Sequence, residues 1–187
     1  MKLLNATLVA VFMLVASTSV HAGKMAKAKA PLVLAPDKAN IVFLRPGKFV
    51  GAAVAVPVFD VTTADTQFVG IVEAGSKVAY SVAPGEHVFM TTVFGGAAGV
   101  RFYKATVEAG KTYYFHAHII EGIWGLEPVR SENGKDLADW DKSTTLTENS
   151  PKTIKWAEEN KASVAEKRAL KPEVIADANT LRTADGR

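Results

Sequence analysis

The chain has 187 residues, a formal net charge of +3, 48% hydrophobic and 9% aromatic residues, and no cysteine. This composition predicts one globular domain with additional segments, and it excludes disulfide bonds, thiolate metal sites and cysteine nucleophiles. Because Lys and Arg are spread along the chain and nearly matched by Asp and Glu, no nucleic-acid-binding surface is predicted.

The first residues predict a secretory signal peptide. Lys2 precedes an apolar run over residues 3–16, and a Ser/Thr-rich stretch follows it up to Val20-His21-Ala22. The residues at positions 20 and 22 fit a cleavage site after Ala22, and the apolar run is shorter than the roughly 20 residues of a membrane-spanning helix. We therefore expect residues 1–22 to be removed and the mature protein to be periplasmic or secreted, without a transmembrane span.

A basic, repetitive segment follows the expected cleavage site. Residues 23–30 place three lysines among mostly small residues and show no apolar face, which predicts a flexible N-terminal lead over residues 23–39. Lys24, Lys27 and Lys29 alone attract a membrane surface too weakly for stable anchoring.

Residues 40–130 form the predicted core domain. Runs of β-branched and aromatic residues recur between turn residues such as Pro46-Gly47 and Pro84-Gly85, and no helix-length amphipathic segment separates them. Without helical crossovers we expect mostly antiparallel pairing, and therefore a small antiparallel β-sandwich. The eight predicted strands cover residues 41–45, 54–61, 67–72, 77–82, 87–94, 100–107, 112–120 and 126–130.

The predicted strand over residues 112–120 alternates clearly between two faces. Its first face belongs to the core and carries Tyr113, Phe115, Ala117 and Ile119. The second face is semi-polar and carries Tyr114, His116, His118 and Ile120. Both imidazoles therefore lie on the same face of one strand.

Residues 131–187 predict a charged, helical C-terminal extension, since Lys, Glu, Asp and Ala dominate from Ser131 onward. Ser150 and Pro151 fit an N-cap and a first helical position, which predicts a helix that ends near Leu170. Pro172 stops this helix, and a further short helix is expected around residues 174–181. We expect the extension to dock loosely on the sandwich.

Three short sequence motifs suggest a family resemblance over roughly residues 40–130. They are Arg45-Pro46, Pro84-Gly85-Glu86-His87, and Ala109-Gly110-Lys111-Thr112-Tyr113-Tyr114. Together they resemble a bacterial family catalogued as domain of unknown function twenty-eight forty-six. The resemblance implies a secreted or lipoprotein-type β domain of the cell envelope, with no assigned activity or catalytic residues. This chain lacks the cysteine needed for lipid attachment and adds the charged extension.

The pair His116 and His118 is the strongest candidate for specific chemistry. Two imidazoles on one strand face can bind Zn, Cu or Ni, and His87 or Glu121 is a candidate for completing the ligand set. Without a third convergent ligand, the two histidines are instead solvated or hydrogen-bonded strand residues. No cofactor other than such a divalent metal is predicted.

Catalytic motifs are not evident in the sequence. The glycine-rich stretch at residues 95–99 leads into a strand and lacks the Lys-Ser/Thr and helix of a phosphate-binding loop. No nucleophile elbow and no ordered Ser/His/Asp arrangement is present. We therefore predict a protein that is not an enzyme.

Aromatic and polar residues near the histidines offer a contact surface. Tyr114 shares their face, and Trp124 lies between glycines, where it either plugs a sheet end or contacts a partner. We predict a non-catalytic binding or interaction module of the envelope, with a periplasmic metal-binding protein and an unrecognised enzyme as alternatives. The sequence does not distinguish between an envelope protein, a glycan and a lipid as the partner.

Overall fold

The computed structural model describes residues 25–47, 53–93, 99–120 and 123–187. For residues 119, 120, 123 and 124 it describes the backbone but not the side chain. The expected signal peptide, most of the glycine-rich stretch at residues 95–99 and the candidate ligand Glu121 lie outside the described residues.

The described residues form a sandwich of two β-sheets, which confirms the predicted fold class. Sheet 1 has the strand order β1 (Ala26–Lys27), β10 (Thr145–Glu148), β5 (Ser76–Val82), β2 (Ala39–Arg45), β8 (Thr112–Ile120) and β9 (Ile123–Pro128). Sheet 2 has the order β11 (Thr180–Leu181), β7 (Val100–Val107), β6 (Gly85–Thr92), β3 (Val56–Asp60) and β4 (Gln67–Val72). Alternation along each strand sends one set of side chains into the space between the sheets.

Aromatic rings fill the centre of that space. Phe43 of sheet 1 meets Phe89 of sheet 2 edge to face, with centroids 5.2 Å apart, and stacks on Phe115 at 5.5 Å. Tyr103 packs edge to face against Phe115. Its buried hydroxyl is not left unpaired, because it accepts a hydrogen bond from the backbone N–H of Leu126 at 2.9 Å. Full burial of each large side chain contributes about 1.5–3 kcal/mol, so this core holds the two sheets together.

Both sheets are mixed. Six of the nine strand pairs in the described ranges are antiparallel, which agrees with the expectation of mostly antiparallel pairing, and three are parallel, so the sandwich is not purely antiparallel. Strand β2 pairs parallel with β8, β10 with β5, and β11 with β7. Parallel neighbours require a long crossover, which is usually a helix. Here the connection between β2 and β8 consists of β3 to β7, which belong to both sheets. These strands form the crossover that a helix usually provides.

The C-terminal extension contains three α-helices: α1 (Leu137–Ser143), α2 (Pro151–Glu159) and α3 (Lys161–Arg168). The predicted cap is confirmed, because the Ser150 side chain accepts the backbone N–H of Thr153 and the Thr153 side chain accepts that of Ser150. The single helix expected up to Leu170 is divided at Asn160. In place of the helix expected at residues 174–181, a short 3₁₀ helix (Asp177–Asn179) precedes β11.

The extension is built into the sandwich, so the expectation of loose docking was wrong. Strands β10 and β11 extend one sheet each, and Leu181 is completely buried in the central core. Helix α1 covers part of the outer face of sheet 1, and Val164 of α3 packs on the outer face of sheet 2. About half of the charged residues of the extension lie in these α-helices, on which apolar side chains such as Leu137 and Val164 face the sheets.

The expected flexible lead is also partly ordered. Met25 is buried in the central core, and β1 pairs antiparallel with β10. Strand β1 could not be predicted from alternation, because it has only two residues and two residues show no periodicity. Within the described ranges, every helix is too short or too polar to cross a membrane.

Candidate functional site

The two histidines lie on the outer face of sheet 1, as the alternation of β8 predicts. The buried partners Tyr113, Phe115 and Ala117 face the central core. His116 is buried, with 7% of its surface exposed, and His118 is half-buried. Their rings lie parallel, at an angle of 4° with centroids 4.8 Å apart.

Strand β9 brings a carboxylate to the histidines. It pairs antiparallel with β8 in a register that places Glu127 directly opposite His116 and Gly125 opposite His118. Oε2 of Glu127 lies 2.9 Å from Nε2 of His118. That nitrogen is buried and makes no aligned hydrogen bond to any described residue, so the Glu127 carboxylate is its nearest polar neighbour.

Asn133 holds the other oxygen of this carboxylate. Its side-chain amide donates to Oε1 of Glu127 at 3.2 Å and to the backbone carbonyl of Pro128 at 3.0 Å, while its Oδ1 accepts the N–H of Arg130. With Oε1 engaged, Oε2 is directed toward His118. Such a supporting hydrogen bond is typical of carboxylates that ligate metals.

Helix α1 covers the histidines from the outside. Its Trp140 stacks on His116 with centroids 4.2 Å apart, so the His116 ring is sandwiched between Trp140 and His118. The helix is anchored by buried Leu137 and by an ion pair in which Nζ of Lys77 lies 2.7 Å from Oδ1 of Asp141. His116 is therefore held on both ring faces.

Together, His116, His118 and Glu127 form a candidate metal centre. Each offers one ligand atom, and the three atoms lie within 4.8 Å of one another. Two imidazole nitrogens and a carboxylate oxygen form a donor set that suits Zn²⁺, Cu²⁺ or Ni²⁺, with metal–ligand distances near 2.0–2.2 Å. Because lone pairs lie in the ring planes, two parallel rings can share one ion only after one of them turns.

His87 does not belong to this centre, so its assignment as a third ligand was wrong. It lies on β6 in sheet 2, where Nε2 is 2.8 Å from the carbonyl oxygen of Ala83. Its Nδ1 faces Oδ2 of Asp60 at 4.0 Å. The prediction failed because it required β6 and β8 to be neighbours, and they lie in different sheets.

The structure describes the side chain of only one of the two aromatic residues predicted to contact a partner, Tyr114 and Trp124. Tyr114 shares the outer face with the histidines, but it is half-buried against the cluster that α1 covers. Burial, with a smaller effect of Asp141, raises the pKa of the Tyr114 hydroxyl. Trp124 pairs through its backbone with Ile119, and its side chain lies outside the described part of the chain.

Two residues of the site, Glu127 and Trp140, were not predicted from the sequence. A signal for Glu127 exists, because a two-residue connection between residues 120 and 123 fixes the register that places position 127 opposite position 116. Trp140 has no comparable signal, since its position depends on how α1 packs against sheet 1.

Comparison with protein families and with curated proteins finds no relative. No protein-family model matches the chain, and none of the curated proteins matches it significantly. The resemblance to domain of unknown function twenty-eight forty-six stays a prediction. The function of this protein is therefore inferred from the geometry of the site.

Proposed function

We propose that this protein is a non-catalytic binding module whose ligand is a divalent transition-metal ion held by His116, His118 and Glu127. The observation that carries the proposal is the convergence of two imidazoles and one carboxylate on adjacent strands, within 4.8 Å of one another. The hydrogen bond from Asn133 to Oε1 of Glu127 supports the proposal, because carboxylates that ligate metals are usually hydrogen-bonded themselves.

The donor set narrows the choice of ion. Imidazole nitrogens suit Zn²⁺, Cu²⁺ and Ni²⁺, whereas Ca²⁺ and Mg²⁺ prefer sites made only of oxygen atoms. Three protein ligands leave an open coordination position on Zn²⁺, which water or a group from a partner molecule can fill. A site with three protein ligands would differ from structural zinc sites, which four protein ligands close.

The proposal includes export to the bacterial envelope, on the basis of the signal-peptide pattern in residues 1–22. Fractionation of cells that express the full chain, followed by N-terminal sequencing, tests it. A mature protein that begins at Gly23 in the periplasm or medium supports export, and an unprocessed protein in the cytoplasm contradicts it.

Calorimetric titration with ZnCl₂, and separately with CuSO₄, tests metal binding. We expect one ion per chain for the unmodified protein, and a loss of at least about tenfold in affinity for His118→Ala and Glu127→Gln. The matched control is His87→Gln, which removes an imidazole from sheet 2 and should leave the affinity unchanged. Equal affinity in all four proteins, or no binding to the unmodified one, overturns the proposal.

A further inference from the structure

A groove of about 470 Å³ is lined by the first residues of β7 and by the segment that follows α3, residues 170–179. Its volume falls in the range of pockets that bind small molecules. Most of its lining residues are aliphatic, among them Val100, Leu170, Pro172, Val174 and Ile175. The groove shares no residue with the His116/His118/Glu127 cluster, so a ligand bound there would be independent of the proposed metal centre.

The aliphatic side chains of the groove can be reached from solvent. Leu170 and Val174 have 51% and 78% of their surface exposed. Val100 and Ile175 are half-buried and pack against the apolar cluster that contains Phe102. Exposed apolar side chains that lie together in a groove gain from being covered by an apolar ligand.

Arg101 is the only charged residue among the described residues that line the groove. It is half-buried, and its guanidinium forms no hydrogen bond or ion pair with any described residue. Of its unpaired nitrogens only Nε is completely buried, so the two terminal nitrogens keep contact with solvent. Because a partly desolvated cation without a counterion is unfavourable, an anion that reaches these terminal nitrogens gains from pairing with them.

The chemistry of the lining narrows the choice of ligand. A guanidinium pairs with a carboxylate through two parallel N–H···O hydrogen bonds, and its single positive charge matches one negative charge. The one aromatic ring of the lining, Phe102, is only 6% exposed, so the surface that a ligand can touch is aliphatic. An aliphatic chain that carries one carboxylate fits both features.

We infer that this groove binds an aliphatic monocarboxylate of the fatty-acid class. The carboxylate pairs with the terminal nitrogens of Arg101, and the chain covers Leu170 and Val174. Octanoate has both features and dissolves well enough in water to be titrated, so it is the probe of choice.

Calorimetric titration of the protein with sodium octanoate, in buffer that contains EDTA, tests the inference. EDTA removes divalent metal, so that octanoate cannot bind at an open coordination position of the proposed metal centre. We expect octanoate to bind the unmodified protein, and to bind at least about tenfold more weakly to Arg101→Met, which keeps an apolar stem but loses the charge. The matched control is Arg187→Met, which removes an exposed arginine that does not line the groove and should leave the affinity unchanged.

A second variant and a second ligand keep the test decisive even if Arg101→Met folds poorly. Val174→Glu places a negative charge at an exposed position of the groove and should weaken octanoate binding roughly threefold. The ligand 1-octanol has the same chain without the charge and should bind at least about tenfold more weakly than octanoate. Absence of octanoate binding, equal affinity of Arg101→Met and the unmodified protein, or equal affinity for octanoate and octanol overturns the inference. Because metal is removed throughout, such a failure leaves the metal proposal unaffected.

Discussion

The indole ring of Trp140 stacks on the imidazole of His116, with centroids 4.2 Å apart and ring planes at 26°. The contact joins helix α1 of the C-terminal extension to strand β8 of the sandwich. It restrains one of the two proposed imidazole ligands on the side away from His118. The extension therefore takes part in the architecture of the candidate site.

Replacement of Trp140 by Leu should lower the free energy of unfolding by about 1–2 kcal/mol, since the ring stack is lost while part of the apolar contact remains. Urea denaturation measures the change. The variant Trp140→Phe keeps an aromatic ring and should retain most of the stability. If the Leu variant is as stable as the unmodified protein, the stack does not hold α1 in place.

Tyr80 should ionise late in alkaline solution. Burial, together with the charge of Asp60 and a hydrogen bond to it, raises the pKa of the Tyr80 hydroxyl from 10.0 to about 12. Since the unfolded chain ionises near the ordinary value, the stability contributed by neutral Tyr80 is complete below pH 10 and is lost as the pH rises toward about 12. The difference in phenolate absorbance between the unmodified protein and Tyr80→Phe measures this titration.

The variant Asp60→Asn provides the control for Tyr80. Removal of the carboxylate charge should move the pKa of Tyr80 back toward its ordinary value, leaving only the effect of burial. A Tyr80 titration that is identical in both backgrounds would show that Asp60 has no part in the shift.

Leu181→Ala should destabilise the protein by about 3 kcal/mol. Leu181 is completely buried in the central core, and its loss leaves a cavity beside β7. The control Val174→Ala lies in the same extension with 78% of its surface exposed, and it should change stability by less than about 0.5 kcal/mol. Similar small effects of both substitutions in chemical denaturation would mean that the extension contributes little to the fold.

Ser150→Ala should cost about 1 kcal/mol, because the side chain accepts the N–H of Thr153 at 3.2 Å in the first turn of α2. Thermal or urea unfolding measures the loss. Ser131→Ala removes an exposed serine outside any helix and serves as the matched control. Equal stability of the two variants would contradict the role of the cap.

The sequence predicts seven of the eight longer strands closely, because their alternation and their turn residues are local signals, whereas β9 (Ile123–Pro128) lies earlier in the chain than the predicted 126–130. The prediction of residues 112–120 as a strand matches β8 at both ends. Strands β1, β10 and β11 have two to four residues, too few for a periodicity, and they were missed. Their pairing depends on distant segments, which a local pattern does not encode.

The same limit applies to the candidate site: its features within one strand were predictable, and those that depend on two elements were not. The shared face of His116 and His118 follows from the two-residue period of one strand. Glu127 and Trp140 join them through strand register and helix packing, which are relationships between elements. His87 was assigned to the site on an assumed strand order, and the partition into two sheets removes it.

The parallel pairing of β2 with β8 also sets when this protein can fold. Residues 40–44 form their ladder with residues 112–116, so the middle of sheet 1 stays incomplete until the chain through β8 has been synthesised. Contacts between segments so far apart in sequence slow folding. A chain that folds slowly exposes the apolar side chains of its strands for longer before the central core covers them, which gives other unfolded chains more time to bind to them.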